Sequence, residues 1–133
     1  MIKVLVEKSK DGTYWGTTQN IPGVVSGDGK SFEQMKKSLY EGMEMYIEDI
    51  EEQDKKVFNK LKLGYEFEYK MSLEDFFNKF PEIKISNLAN RMNISPSLMR
   101  QYSSGNTYIS ETRIRQIENT IHQLGNELQA VYF

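Results

Sequence analysis

Polar side chains that suit nucleic-acid recognition recur between residues 86 and 107. Arginine can pair with guanine and glutamine with adenine through two hydrogen bonds, while small polar side chains reach phosphates or single base atoms. The candidates for such contacts are Ser86, Arg91, Ser95, Ser97, Arg100, Gln101, Ser104, Asn106 and Thr107. If Met99 and Tyr102 point inward from a helix, that helix turns four of them outward: Ser97, Arg100, Gln101 and Ser104.

Other kinds of site find little support in the sequence. The chain has no cysteine and a single histidine, His122, so thiolate metal sites are excluded. Residues 27–31, Gly-Asp-Gly-Lys-Ser, resemble the end of a phosphate-binding loop, but the glycine required five residues before Gly29 is Val24. We therefore expect no enzyme, no cofactor, no metal ion and no small-molecule substrate.

The spacing of a few small and turn-forming residues predicts how the polar candidates are positioned. Ala89 supplies a small side chain where two helices cross, and Asn93, four residues later, tolerates left-handed backbone. Ser95-Pro96 is a helix cap followed by proline at the first helical position, and Gly105 lets the chain leave that helix. This combination predicts a helix-turn-helix, the DNA-binding arrangement, within residues 84–124.

Apolar residues at helical spacing surround the predicted turn. Ser72 is a potential N-cap for a helix that starts at Leu73 and precedes the helix-turn-helix. Ser110-Glu111 opens a last helix that we expect to end at Gly125. The side chains expected to face inward are Leu73, Phe76, Phe77, Phe80, Leu88, Met92, Ile94, Met99, Tyr102, Ile114, Ile117, Ile121 and Leu124. We also expect the apolar tail 128–133 to dock somewhere rather than to remain free. Residues 72–133 are thus predicted to form an all-α domain.

The first half of the chain alternates with period two before it becomes helical. Residues 2–7, 13–18, 24–26 and 65–69 have the pattern of strands, with a turn at Asp11-Gly12. Ser31 and Gln34 have the spacing of a capping box, which opens an amphipathic helix of about twenty residues. A short helix is possible around 57–61. Residues 1–71 are therefore predicted to form a β-β-β-α-β domain, and the whole chain an α+β protein.

Charge is distributed unevenly along a chain whose net charge is −2. Residues 84–115 have five basic side chains and one acidic one, Glu111, whereas residues 41–54 are acidic without a single lysine or arginine. The acidic stretch is either a solvated helix face or a surface for a basic partner. No signal peptide or membrane span is recognisable, so we expect a cytoplasmic protein without a membrane partner.

Two stretches resemble known families. LANRMNISPSLMRQYSSG (88–105) resembles the helix-turn-helix of phage-repressor (XRE-like) proteins, although Ile85-Ser86 stands where that family often has a phosphate-clamping glutamine. YWGTTQNIPGVVSGDGKSFEQMKKSLYEGMEMYIED (14–49) and YEFEYKMSLEDFF (65–77) resemble the HicB antitoxins. The HicB resemblance implies a partial RNase H-like first domain that binds a HicA-like toxin, a small basic RNase.

The resemblance implies an antitoxin that neutralises this toxin and represses its own operon by binding operator DNA as a homodimer or higher oligomer. Toxin-binding candidates are Tyr14, Trp15, Glu44, Glu48 and Glu51, and strand alternation exposes only one of the first two. The alternatives are a stand-alone transcription regulator with a ligand-sensing first domain, and a degenerate RNA-processing enzyme. The last is disfavoured because RNase H-like catalysis needs clustered carboxylates, and the first two strands offer only Glu7.

Overall fold

The period-two pattern at the start of the chain forms the central part of a sheet. In the computed structural model, which describes residues 1–133, the strands are β1 (Ile2–Lys8), β2 (Tyr14–Thr18), β3 (Ser26–Gly29) and β4 (Phe67–Met71). Their order is β3-β2-β1-β4, with β1 antiparallel to β2 and parallel to β4. The alternate β1 side chains Ile2, Val4 and Val6 are buried on one face. That face of the sheet forms one side of the hydrophobic core of the first unit.

Two helices complete the first unit, Met1–Ser72. They are α1 (Phe32–Gln53) and α2 (Lys55–Lys62). Met35, Leu39 and Met43 of α1 are fully buried in the same cluster as the apolar side of β1. The helix begins as predicted at Ser31, whose hydroxyl accepts a bond from Gln34 N at 3.1 Å. The return bond differs from a standard capping box, because Gln34 Oε1 accepts from Lys30 N (2.9 Å).

The third strand lies later in the chain than predicted. It spans Ser26–Gly29, whereas the β-branched pair Val24-Val25 had favoured residues 24–26. A Cβ atom on Gly27 would lie 2.5 Å from the Leu39 backbone nitrogen, and one on Gly29 would lie 2.6 Å from that of Met35. These glycines let α1 approach β3 at backbone distance, so helix packing overrides local strand propensity here.

An aromatic cluster joins α1 to the edge strand β4. The ring centroids of Phe32 and Tyr69 are 5.0 Å apart, and those of Tyr40 and Phe67 are 4.7 Å apart. Burial in this cluster raises the pKa of Tyr69 to about 12, with the nearby Tyr40 and Glu33 acting in the same direction. The predicted aromatic face of residues 65–69 is therefore the face that packs on the helix.

The second unit, Leu73–Phe133, is helical throughout. Its helices are α3 (Leu73–Lys79), α4 (Ile85–Arg91), α5 (Pro96–Ser104) and α6 (Glu111–Gln129). Phe77, Leu88, Ala89, Met99 and Ile117 form its buried centre, one or two from each helix. None of the six helices in the chain has the length and apolar character needed to cross a membrane.

The end of the last helix differs from the prediction. Gly125 does not end the last helix, which continues to Gln129 and is capped by Ala130, whose N–H bonds to the Asn126 carbonyl. Glycine ends helices when it adopts left-handed backbone, and Gly125 does not. The apolar tail is not covered by the rest of the chain, since Leu128, Val131 and the two residues after it are each more than half exposed.

The tight contact between β3 and α1 makes a testable prediction. Gly27→Ala should lower the free energy of unfolding of the first unit by about 1–3 kcal/mol, because the new methyl group meets backbone atoms that cannot rotate away. Denaturant titration followed by the fluorescence of Trp15, the single tryptophan, measures this unit directly.

Ser26→Ala is the matched control, because Ser26 is the exposed neighbour of Gly27 in the same strand. Its effect should stay within about 0.5 kcal/mol. Equal unfolding midpoints for wild type and Gly27→Ala would show that α1 does not approach the strand this closely.

Candidate nucleic-acid interface

The turn between α4 and α5 has the local conformation that its sequence predicts. Ala89 is completely buried, and Asn93 is the only non-glycine residue with positive φ, at 56°. Ser95 caps α5 by accepting a hydrogen bond from Leu98 N at 3.0 Å, and Pro96 occupies the first helical turn. Because each of these features fixes backbone direction, the start and the rotation of α5 are well defined.

One face of α5 is polar and exposed. Met99 is buried on the opposite side, and the exposed side chains are Ser97, Arg100, Gln101 and Ser104. The helix ends as predicted at Gly105, whose φ of 79° only glycine adopts readily. Arg100 forms no hydrogen bond or ion pair within the protein, so its guanidinium group has all five N–H donors available.

Gln101 is less free than its sequence position suggests. Its Oε1 accepts a hydrogen bond from the Thr107 hydroxyl at 3.0 Å, and the Ser104 hydroxyl donates to the Gln101 carbonyl at 3.2 Å. Pairing with adenine needs both the oxygen and the nitrogen of the glutamine amide. Because the Thr107 hydroxyl donates to that oxygen and holds the side chain in place, the groups of the Gln101 amide without a partner are its N–H donors, which suit a phosphate or a base acceptor.

Two of the basic residues of the second unit are paired with carboxylates. Arg91 pairs with Glu127 at 2.7 Å, and Arg115 pairs with Glu118 at 3.0 Å. Arg113 donates to the amide oxygen of Gln116 at 3.2 Å. The positive charge counted along residues 84–115 is therefore reduced by carboxylates that lie later in the sequence. Arg91 is consequently a weaker candidate for DNA contact than its sequence position indicated.

The remaining predicted residues surround α5. Ser86 is half-buried on α4, Asn106 is exposed in the loop after α5, and the Ser95 hydroxyl keeps its own hydrogen for donation to a phosphate. Tyr108, which is not in the predicted set of contacts, has a side chain that is 87% exposed in the same loop as Asn106. An aromatic residue in a polar loop was the available signal, and it identifies Tyr108 as an additional contact candidate.

The second predicted set, for a protein partner, does not form one surface. Tyr14 is buried in the first core, which removes it from the candidates. Trp15 is 47% exposed on the opposite side of the sheet, in register with Glu7 and Asp28 on the flanking strands. Because α1 covers the side where Tyr14 lies, Trp15 and the exposed face of α1 point in opposite directions.

The acidic face of α1 is solvent-exposed and unpaired. Glu44, Glu48 and Glu51 are all exposed at helical spacing, and none of them forms an ion pair. Met45, between the first two, is 68% exposed. An apolar side chain among free carboxylates is the composition expected where a helix meets a basic partner.

No group of three or more His, Asp or Glu side chains in the chain has the geometry to hold a metal ion.

The best-formed depression is an open groove along α1, and most of its lining residues are charged: Glu33, Lys36, Lys37, Tyr40, Glu41 and Glu44. Small-molecule sites are usually enclosed and mostly apolar. This groove therefore resembles a charged surface more than a ligand pocket.

Comparison of the chain with family models, with curated proteins and with solved structures found no match to any of them.

Proposed function

We propose that the protein is an antitoxin and autorepressor: its second unit binds operator DNA in a sequence-specific manner, and its first unit neutralises a basic, HicA-like RNase toxin. The observation that supports DNA binding best is the exposed polar face of α5, where the unpaired Arg100 lies one turn after the capped start of the helix. A recognition helix in the major groove requires this combination of a fixed start and free donors.

The architecture is consistent with this proposal in both units. The sheet order β3-β2-β1-β4, with β4 parallel to β1, supports an interpretation of the first unit as a partial RNase H-like fold. The buried Ala89, the left-handed Asn93 and the capped α5 support an interpretation of the second unit as a helix-turn-helix.

For the toxin, the acidic face of α1 is the better of the two candidate surfaces. A basic RNase is attracted by unpaired carboxylates, and α1 presents Glu44, Glu48 and Glu51 without intramolecular partners. The surface around Trp15 has mixed charge, with Glu7 and Asp28 beside it and Lys3 and Lys70 elsewhere on the same side of the sheet. We therefore assign the toxin contact to α1.

A stand-alone regulator with a ligand-sensing first domain remains the alternative, but no observation favours it, because the first unit has no enclosed apolar pocket among its best cavities. A gene for a small basic protein with a central histidine beside this gene supports the antitoxin. The absence of such a neighbour would favour the alternative.

Arg100→Ala tests the DNA-binding part of the proposal. Losing a guanine contact should weaken operator binding by about 1–3 kcal/mol, which is roughly 5- to 150-fold in dissociation constant. Fluorescence anisotropy with a labelled fragment of the protein's own promoter measures this change.

Arg115→Ala is the control, since it removes the same group from α6, where Glu118 already pairs with it. We expect its operator affinity to stay within about 0.5 kcal/mol of wild type. If the two variants bind equally well, Arg100 does not read a base.

The double charge reversal Glu44→Lys with Glu48→Lys tests the toxin surface. It should lower the affinity for the basic toxin by about tenfold or more, mainly through slower association, because attraction becomes repulsion at the same place. Surface plasmon resonance at two salt concentrations separates the association rate from the dissociation rate.

Glu66→Lys with Glu68→Lys changes the net charge by the same amount at exposed positions beside and within β4. The unfolding transition of Trp15 fluorescence checks that both double variants keep the first unit folded. This control should change the association rate much less than the α1 variant. Equal slowing by both pairs would mean that net charge alone attracts the toxin.

A further inference from the structure

The loop that follows α5 is folded back onto that helix by backbone hydrogen bonds. Asn106 N donates to the Gln101 carbonyl at 3.0 Å, and Gly105 N donates to the Tyr102 carbonyl at 3.2 Å. With Gly105 at a φ of 79°, this pair of bonds is the Schellman arrangement that closes many helices. The place of the next residue, Thr107, is therefore fixed by the backbone.

Thr107 is half-buried where this loop meets the exposed face of α5, and its hydroxyl donates to Gln101 Oε1 at 3.0 Å. The amide nitrogen Nε2 of Gln101 has no partner within the chain. The two ends of this planar amide therefore have different roles. The oxygen holds the side chain against the loop, while the nitrogen has two N–H donors available to another molecule.

Arg100, the residue before Gln101, also presents donors only, because its guanidinium group has no partner in the chain and no acceptor atom. DNA bases differ in this respect. In the major groove guanine shows the acceptors N7 and O6 and thymine the acceptor O4, whereas adenine and cytosine each show an amino donor. Two consecutive donor side chains are complementary to guanine and thymine, the bases with a keto oxygen in this groove.

We propose that Thr107 is a specificity-determining residue: by engaging the oxygen of Gln101 it makes that side chain a donor, so that the base read by Gln101 is guanine or thymine. Glutamine can otherwise pair with adenine, but the N6 amino group of adenine would compete with Thr107 for the same oxygen. Thr107 acts through Gln101 and need not touch DNA itself. The inference rests on the proposed DNA-binding function and adds the class of base that α5 recognises.

The test uses the full-length protein and a library of DNA duplexes with a randomised central segment, from which the bound molecules are sequenced. Gln101→Ala identifies the position that this side chain reads, since the preference there should disappear. At that position the wild type should bind guanine or thymine roughly fivefold or more tightly than adenine, as fluorescence anisotropy with duplexes differing in one base pair measures.

Thr107→Val removes the hydroxyl and keeps the shape of the side chain. It should lower the preference over adenine at the Gln101 position by about fivefold, because the released amide can turn and offer both its oxygen and its nitrogen. The preference at the position that Arg100 reads should not change. Thr107→Ser keeps the hydroxyl and should keep the wild-type preference. Thr112→Val, the same exchange at an exposed position of α6, should have no effect.

A second variant keeps the test decisive if Thr107→Val does not fold. Gln101→Glu replaces the amide by a carboxylate, which only accepts hydrogen bonds. The preference at the same position should then change from guanine or thymine to a base with an amino donor, such as cytosine.

The possible failures separate this inference from the function on which it rests. A wild type that prefers adenine at the Gln101 position overturns the inference, and so does a Gln101→Ala variant with every wild-type preference. It is also overturned if Thr107→Val weakens binding to all sequences equally, as a purely structural role would. In these cases the DNA-binding function stands. A wild type that enriches no sequence from the library overturns the DNA-binding function, and the inference with it.

Discussion

The close crossing of α4 and α5 is the constraint on which the candidate DNA interface depends. Ala89 and Met99 are both completely buried there, and the backbone between the two helices turns through a left-handed Asn93. A larger side chain in place of Ala89 would displace α5, and with it every polar group on the exposed face. The position of Arg100 is therefore decided by residues that are not suited to contact DNA themselves.

The features predicted correctly from the sequence are those governed by local backbone chemistry. Asn93, Ser95, Pro96 and Gly105 each act within a few residues of their own position, through left-handed backbone, a cap, a fixed φ or a helix exit. The strand at Ser26–Gly29 was misplaced for the opposite reason. Its location depends on Gly27 and Gly29, which let Leu39 and Met35 of α1 approach the strand, and strand propensity does not describe such contacts.

The candidate sites were only partly predictable, because side-chain partners are often remote in sequence. Arg91 and Glu127 are separated by 36 positions, and only the structure brings them together. Alternation indicated that either Tyr14 or Trp15 is exposed, but choosing between them required knowing which side of the sheet α1 covers. The same knowledge separated Trp15 from the acidic residues of α1, which the sequence had grouped into one surface.

The pairing of Arg91 with Glu127 has a consequence for how such a protein would search a genome. Affinity for arbitrary DNA comes from cations that replace the counterions condensed on the phosphates, and it falls steeply with salt when many are replaced. Two of the four arginines of the second unit, Arg91 and Arg115, are paired with carboxylates, so a DNA reader built on this unit would displace fewer of these ions than its sequence charge suggests. It would dissociate quickly from unrelated sequence, and its preference for the correct site would change little with ionic strength.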